Sequence, residues 1–267
     1  MTLDRRSLLA VLAATSVAPL AQAAQRKSLA DPMLLGVEQA LWDSGLASQF
    51  QKSFGKDTGV AVQLVPGYSA PLLEKLERGE VDAAMTNAPE QEAALEKQGL
   101  AHDRRLVATG DFVLVGPLEG TGKKAKDPVG VLGERDIAAA LAKIAQAQAR
   151  FIGPVIGSGA YVSTLALWRA AKVAPAAPWY VDGKGSVLDQ AQAENAYALV
   201  ERALWLARAR KPLALMVEGD SRMATEVHVM RSFRVNHPAA KLFGQWVSGP
   251  QGRRVAGSVR GWRPAPV

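Results

Sequence analysis

Residues 33–65 read MLLGVEQALWDSGLASQFQKSFGKDTGVAVQLV. The opening MLLGVEQ is an apolar run of strand length. In the following SGLASQFQKSFGKDTG, Leu46, Phe50 and Phe54 recur on one helical face and Gly59 closes the segment. VAVQLV then returns to a strand pattern. Strand, helix and strand in this order predict a parallel unit in a sheet covered on both faces. The hand-over is expected at Asp43-Ser44-Gly45, with the helix starting at Ser44, a position where open α/β sheets hold small ligands.

Working outward, the alternation continues through the helix SAPLLEKLERG, the strand VDAAMTN and the helix PEQEAALEKQG. A second series starts at the strand DFVLVGP. It runs through the helix ERDIAAALAKIAQAQA, the strand FIGPVI, the helix SGAYVSTLALWRAAK, the strand WYVDG, a helical stretch from Ser186 and the strand PLALMVEGD. EVHVMRSFRVN reads as a long strand, and AAKLFGQWVSGPQGRRVAG as one terminal helix with Leu242, Trp246 and Val247 facing inward. No internal repeat, low-complexity tract or flexible linker is expected. The two series predict an α/β fold of two lobes with a ligand cleft between them. One lobe takes residues 31–112 with 228–267, the other 113–227, so the chain crosses between them at least twice.

The chain has 267 residues, 48% of them hydrophobic and 21% charged, enough for a substantial core and two lobes. The formal net charge is +7, but Lys and Arg are interspersed with acids. The densest basic cluster, RALWLARARK, reads as a solvated helix end, so no nucleic-acid partner is expected. Near the start, Arg5-Arg6 precede the apolar run LLAVLAATSVAPLA, and AQA leads into Ala24. This is the pattern of an export signal over 1–23, of the twin-arginine or the general secretory kind, and predicts a periplasmic mature chain. No later stretch is apolar for the roughly 18 residues a membrane span needs. Cysteine is absent, which excludes disulfides, thiolate metal sites, cysteine nucleophiles and a lipid anchor built on an N-terminal cysteine.

Four serines stand where a strand or loop hands over to a helix: Ser44, Ser69, Ser158 and Ser186. Each either caps its helix or, together with the free amides of the first turn, helps line a site for a small polar or anionic ligand. Catalytic patterns are missing. His102, His228 and His237 lie far apart, with no second histidine or carboxylate at metal spacing. GSGAY at 157–161 lacks the pattern of a nucleophile elbow, and GTGKKAK at 120–126 has the wrong spacing for a phosphate loop. No enzyme activity and no cofactor are expected.

The order of DSGL (43–46), ERGEVDAAMTNAPEQE (77–92), GDFVLVGP (110–117), LALWRAAKV, PWYVDGKGSV, NAYALVERALWLA, LMVEGD and FGQWVSGPQGRR resembles the periplasmic tungstate-binding proteins of ABC importers. These belong to the two-lobed type II class of periplasmic solute-binding proteins, and the resemblance covers nearly all of the mature chain. It implies a cleft that binds an oxyanion or another small molecule, and an ABC permease as partner. It also marks departures. The family's run of Thr and Ser before DSGL is replaced by Val37, Glu38, Gln39 and Ala40. The family's arginine and acidic residues ahead of the serine-glycine turn are replaced by Pro154-Val155-Ile156-Gly157, and a family histidine is replaced by Asn87. Ser69 and Ser158 keep the hydroxyl type. The expected ligand set is therefore Glu38, Gln39, Ser44, Ser69, Asn87, Ser158 and Tyr161, suited to a hydroxylated, amino-bearing or cationic compound, with Lys184 available to an anion. A second reading keeps the fold but makes the chain an accessory or sensor partner of a membrane protein or exported enzyme.

Overall fold

The computed structural model describes residues 28–120, 122–209 and 213–266. The export segment expected at 1–23 lies outside them. The first series is β1 (Met33–Glu38), α1 (Gln39–Asp43), α2 (Leu46–Thr58), β2 (Val62–Gly67), α3 (Ser69–Arg78), β3 (Ala83–Thr86) and α4 (Pro89–Lys97). The strand β4 (Ala101–Gly116) leads into α5 (Ile137–Gln146), β5 (Phe151–Gly153), α6 (Gly159–Ala170), β6 (Tyr180–Asp182), α7 (Val187–Ala193), β7 (Tyr197–Glu201), α8 (Arg202–Ala207) and β8 (Ala214–Val217). The chain closes with β9 (Ala224–Ser232), α9 (Pro238–Ser248), α10 (Pro250–Ser258) and β10 (Arg263–Pro264).

The strands lie in the order β2-β1-β3-β9-β4-β7-β5-β6, with β8 and β10 also on β4. Two parallel trios, β2-β1-β3 and β7-β5-β6, flank an antiparallel centre. The long strand β4 serves both ends: its residues up to Asp111 pair with β9, and Phe112–Val115 pair with β7. It is longer than DFVLVGP suggests, because its polar first part carries charges that find partners across the sheet, such as Asp103 with Arg231 at 2.5 Å.

Side-chain alternation sets the cores. Phe112 and Leu114 point to the core holding Ile137, Leu141 and Trp168, while Val113 and Val115 point to the opposite face with Ile152 and Leu188. In the other trio Phe50 and Phe54 of α2 meet α9, with Phe54 5.1 Å from Phe243 and 5.5 Å from Trp246, each pair edge to face. The C-terminal segment therefore packs on the first trio.

Two local expectations are corrected. The terminal helix is two helices, broken at Gly249-Pro250, where proline starts a new first turn. Within α9, Phe243 and Val247 are buried and Leu242 is exposed, since a shift of one position turns a helical side chain by about 100°. Gly59 does close α2: its φ is +73° and its amide donates to Gly55 O at 2.9 Å. A Cβ there would meet nothing within 4 Å, so Gly59→Ala pays only for the left-handed backbone. We expect a loss of about 1 kcal/mol in urea denaturation.

Candidate functional site

The C-terminal ends of β1, β5 and β7 and the N-termini of α3, α6 and α7 converge on a cavity of about 430 Å3. This is the edge of an α/β sheet where ligands bind, and the volume falls in the range of small-molecule sites. Glu38, Gln39 and Tyr68 line it from the first trio; Pro154, Ser158 and Glu201 line it from the second.

The strand-to-helix switch is at Glu38-Gln39, not at 43–45. Apolar β1 runs to Val37, Glu38 takes φ −52° and ψ 138°, and helix α1 begins at once. Gly45, at φ +81°, is the kink between α1 and α2. Ser44 therefore ends a helix instead of starting one. Its hydroxyl accepts from Trp262 Nε1 at 3.0 Å and faces away from the cavity.

Glu38 is only 2% exposed. The Ser69 hydroxyl donates to its Oε2, and the backbone amides of Ser69 and Gly159 donate to the same carboxyl group. These donors are the first turns of α3 and α6, and their free N–H groups form an anion cradle. The cradle holds a carboxyl group of the chain itself. Burial pushes the Glu38 carboxyl up to about 8 against the pull of Ser69, and the charge of Glu201 adds to the rise.

Asn87, 1% exposed, closes the back of the cradle. Ser69 Oγ lies 3.4 Å from its Oδ1. A Cβ on Gly159 would fall 2.0 Å from that same Oδ1, so only glycine permits this approach. Asn87 lies near enough to Glu201 to favour its charged form, yet its buried Nδ2 makes no hydrogen bond of normal geometry. Beside it the Ala70 amide donates to Gly157 O at 2.9 Å, joining the two trios across the floor.

Glu201, 6% exposed, is the second carboxyl of the cavity. Burial raises it to about 6, opposed by its own backbone amide and Asn87, and raised further by Asp43. Sequence reasoning missed it, but a signal exists. VEQALW at 37–42 recurs as VERALW at 200–205, although no repeat was expected. Both copies are a strand end, a glutamate and a helix start, and Glu201 has φ −59° and ψ 133°, close to Glu38. The copies are not topological equivalents, because β1 is the middle of its trio and β7 the inner flank of the other.

Of the other expected residues, Gln39 lines the cavity and donates to Asp43 Oδ1 at 2.9 Å. Ser158 lines it and caps α6, accepting from the Tyr161 amide at 3.2 Å. Tyr161 itself lines a separate hollow with Trp168 and Arg169. Lys184 is exposed and not among the lining residues, whereas its neighbours Gly185 and Ser186 are. Arg208 brings the one lining cation among the described residues, and it is held by Asp189 at 2.8 Å and by Ser186 Oγ at 3.0 Å. Among the described residues no group of three His, Cys, Asp or Glu could hold a metal ion.

The profile of a PBP superfamily domain matches residues 28–249. The chain is 28% identical over 236 residues to the tungstate-binding protein TupA of Peptoclostridium acidaminophilum, covering 84% of this chain and 80% of that protein. The solved structure of the tungstate ABC transporter from Geobacter sulfurreducens superimposes with a TM-score of 0.74 at 28% identity, covering 84% of this chain and 97% of that one. The tungstate-binding protein TupA from Desulfovibrio alaskensis G20 gives a TM-score of 0.71 at 25% identity, covering 89% and 100%.

Proposed function

The chain belongs to the PBP superfamily, and from that premise we propose that it is an exported solute-binding protein of the tungstate-receptor type, delivering a small ligand to an ABC permease. The observation that carries this reading is the cavity itself, walled by strand ends and helix starts from both trios. Residues 31–112 with 228–267 act as one lobe and 113–227 as the other, and β4 and β9 are the strands that flex when the cleft opens. Strands shared by two lobes suit a hinge, because a small change in twist along them separates the walls without breaking a core. Arg5-Arg6 and the apolar run direct export, and the mature chain works in the periplasm from near Ala24. Among the described residues no helix is long and apolar enough to cross a membrane.

The site has diverged from an oxyanion site. Glu38 fills the cradle, Glu201 and Asp43 add negative charge, and Pro154 offers no donor. Tungstate and molybdate are therefore poor ligands, since an incoming dianion has to displace a buried carboxyl group and meets two more. Native mass spectrometry of protein isolated from the periplasm tests the receptor reading. A small-molecule adduct that is lost on unfolding is expected, whereas isolates that carry only the bare chain mass overturn it.

A further inference from the structure

Two carboxyl groups are buried on facing walls of the cavity, and neither has a cationic partner among the described residues. The rest of the molecule treats such groups differently. Glu92, fully buried, is met by Arg104 at 3.1 Å, by His228 at 2.9 Å and by the Thr86 hydroxyl at 2.7 Å. Arg202, next in the chain to Glu201, turns away to Asp111 at 2.7 Å and Glu218 at 2.5 Å. Arg208 at the rim is committed to Asp189. A buried carboxylate without a counter-charge is costly, and so is one neutralised far from its ordinary protonation range. The missing charge is the one a ligand can bring.

Taking the cavity as the ligand site of the receptor proposed above, we infer that it selects an organic ammonium ion, its nitrogen held between Glu38 and Glu201 and its carbon skeleton against the aliphatic wall. That wall is Ala40, Val155, Leu188, Leu199, Val200 and Leu204. A hydrated divalent cation does not fit it, because aliphatic side chains replace no water ligand and the acids are too few for a metal cage. An ammonium group needs only two or three acceptors, and the carboxyl pair supplies them with charge.

Every titratable group facing the pair acts in the same direction or is already engaged. Asp43 on α1 adds negative charge, Tyr68 ahead of α3 is a phenol whose titration is pushed up by burial and then by Glu38 and Asp43, and Asp189 is spent on Arg208. Burial keeps the two carboxyl groups partly protonated without ligand, so a cation binds with release of a proton and binds more tightly as the pH rises.

The test uses the mature chain and four probes, n-butylamine, benzylamine, choline and putrescine, each beside the alcohol or carboxylate of the same skeleton. Thermal shift at pH 8 finds binders, and calorimetry at pH 6 and pH 8 measures them. The expected result is stabilisation by at least one amine and by no isosteric alcohol or carboxylate. Its affinity is expected to rise roughly tenfold from pH 6 to pH 8, and Glu201→Gln is expected to weaken it at least tenfold. Circular dichroism of Glu201→Gln, and Asp43→Asn as a milder second variant, separate lost binding from lost folding. The inference is overturned if no amine of the set stabilises the chain, if an alcohol or carboxylate does so as well as the amine, or if Glu201→Gln binds unchanged. A native adduct of anionic chemistry overturns the cation site and leaves the receptor reading standing. The bare chain mass removes the receptor reading first.

Discussion

Glu38→Thr is expected to raise the affinity for tungstate at least about a hundredfold, which corresponds to roughly 2.8 kcal/mol. In the native chain the dissociation constant is expected well above about 1 µM, because the donors an oxyanion needs are occupied. The Ser69 hydroxyl and the amides of Ser69 and Gly159 all end on the Glu38 carboxyl group. Hydrogen bonds to a charged group are worth about 1.5–3 kcal/mol each, so returning two of them to a ligand suffices for the gain. Threonine also takes away the bulk of the buried carboxyl group and leaves room for the anion beside the unpartnered Asn87 Nδ2. Adding Pro154→Arg is expected to improve binding again, since a guanidinium presents forked donors to a dianion. Calorimetry with tungstate and molybdate near pH 6 measures all three proteins. Submicromolar binding by the native chain, or no gain in either variant, contradicts the filled cradle.

Glu38 also predicts how stability depends on pH. Its carboxyl group titrates near 4.5 in an unfolded chain and near 8 in the folded one. Between these values the folded state holds the proton and the unfolded state has lost it. Stability from this group is therefore complete below about pH 4.5, falls as pH rises through the window, and reaches its floor above about pH 8. The slope is at most about 1.4 kcal/mol per pH unit, several kcal/mol over the window. Glu201, raised to about 6, steepens the lower part. Glu38→Gln keeps the shape and cannot ionise, so its profile is expected to keep only the fall below about pH 6 that Glu201 contributes, to lose the fall between pH 6.5 and 8, and to cross above that of the native chain toward pH 8. Urea midpoints at pH 5, 6.5 and 8 measure this, and parallel profiles for the two proteins contradict it.

Most of the fold is legible in the chain because its causes are local. Leu46, Phe50 and Phe54 mark the buried face of α2 by spacing, and Gly59 ends it by being able to take φ +73°. The end of DFVLVGP alternates between two cores because strand side chains alternate. Failures of the same reading are also local. Leu242 was expected inside and Phe243 holds that place, since AAKLFGQWV is apolar enough on several sides to leave the facing direction open.

The site was legible in its parts. Glu38, Gln39, Ser69, Asn87 and Ser158 stand out as polar residues at strand ends and helix starts; the structure places Glu38, Gln39 and Ser158 on the wall of one cavity and Ser69 and Asn87 behind Glu38. Ser44, Tyr161 and Lys184 share that local character and face elsewhere. Glu201 is marked only by the recurrence of VEQALW as VERALW at 200–205, and without that comparison it reads as an exposed glutamate, the usual condition of that residue. The sequence by itself determined the alternation of strands and helices, the two series and the polar residues at their junctions, because these depend on neighbours a few positions away. Only the tertiary structure decided that Glu38 turns inward to a serine 31 positions away and faces a second carboxyl group from the other trio. Burial, charge state and partner are properties of what surrounds a side chain in space, and in this fold those surroundings come from distant parts of the chain.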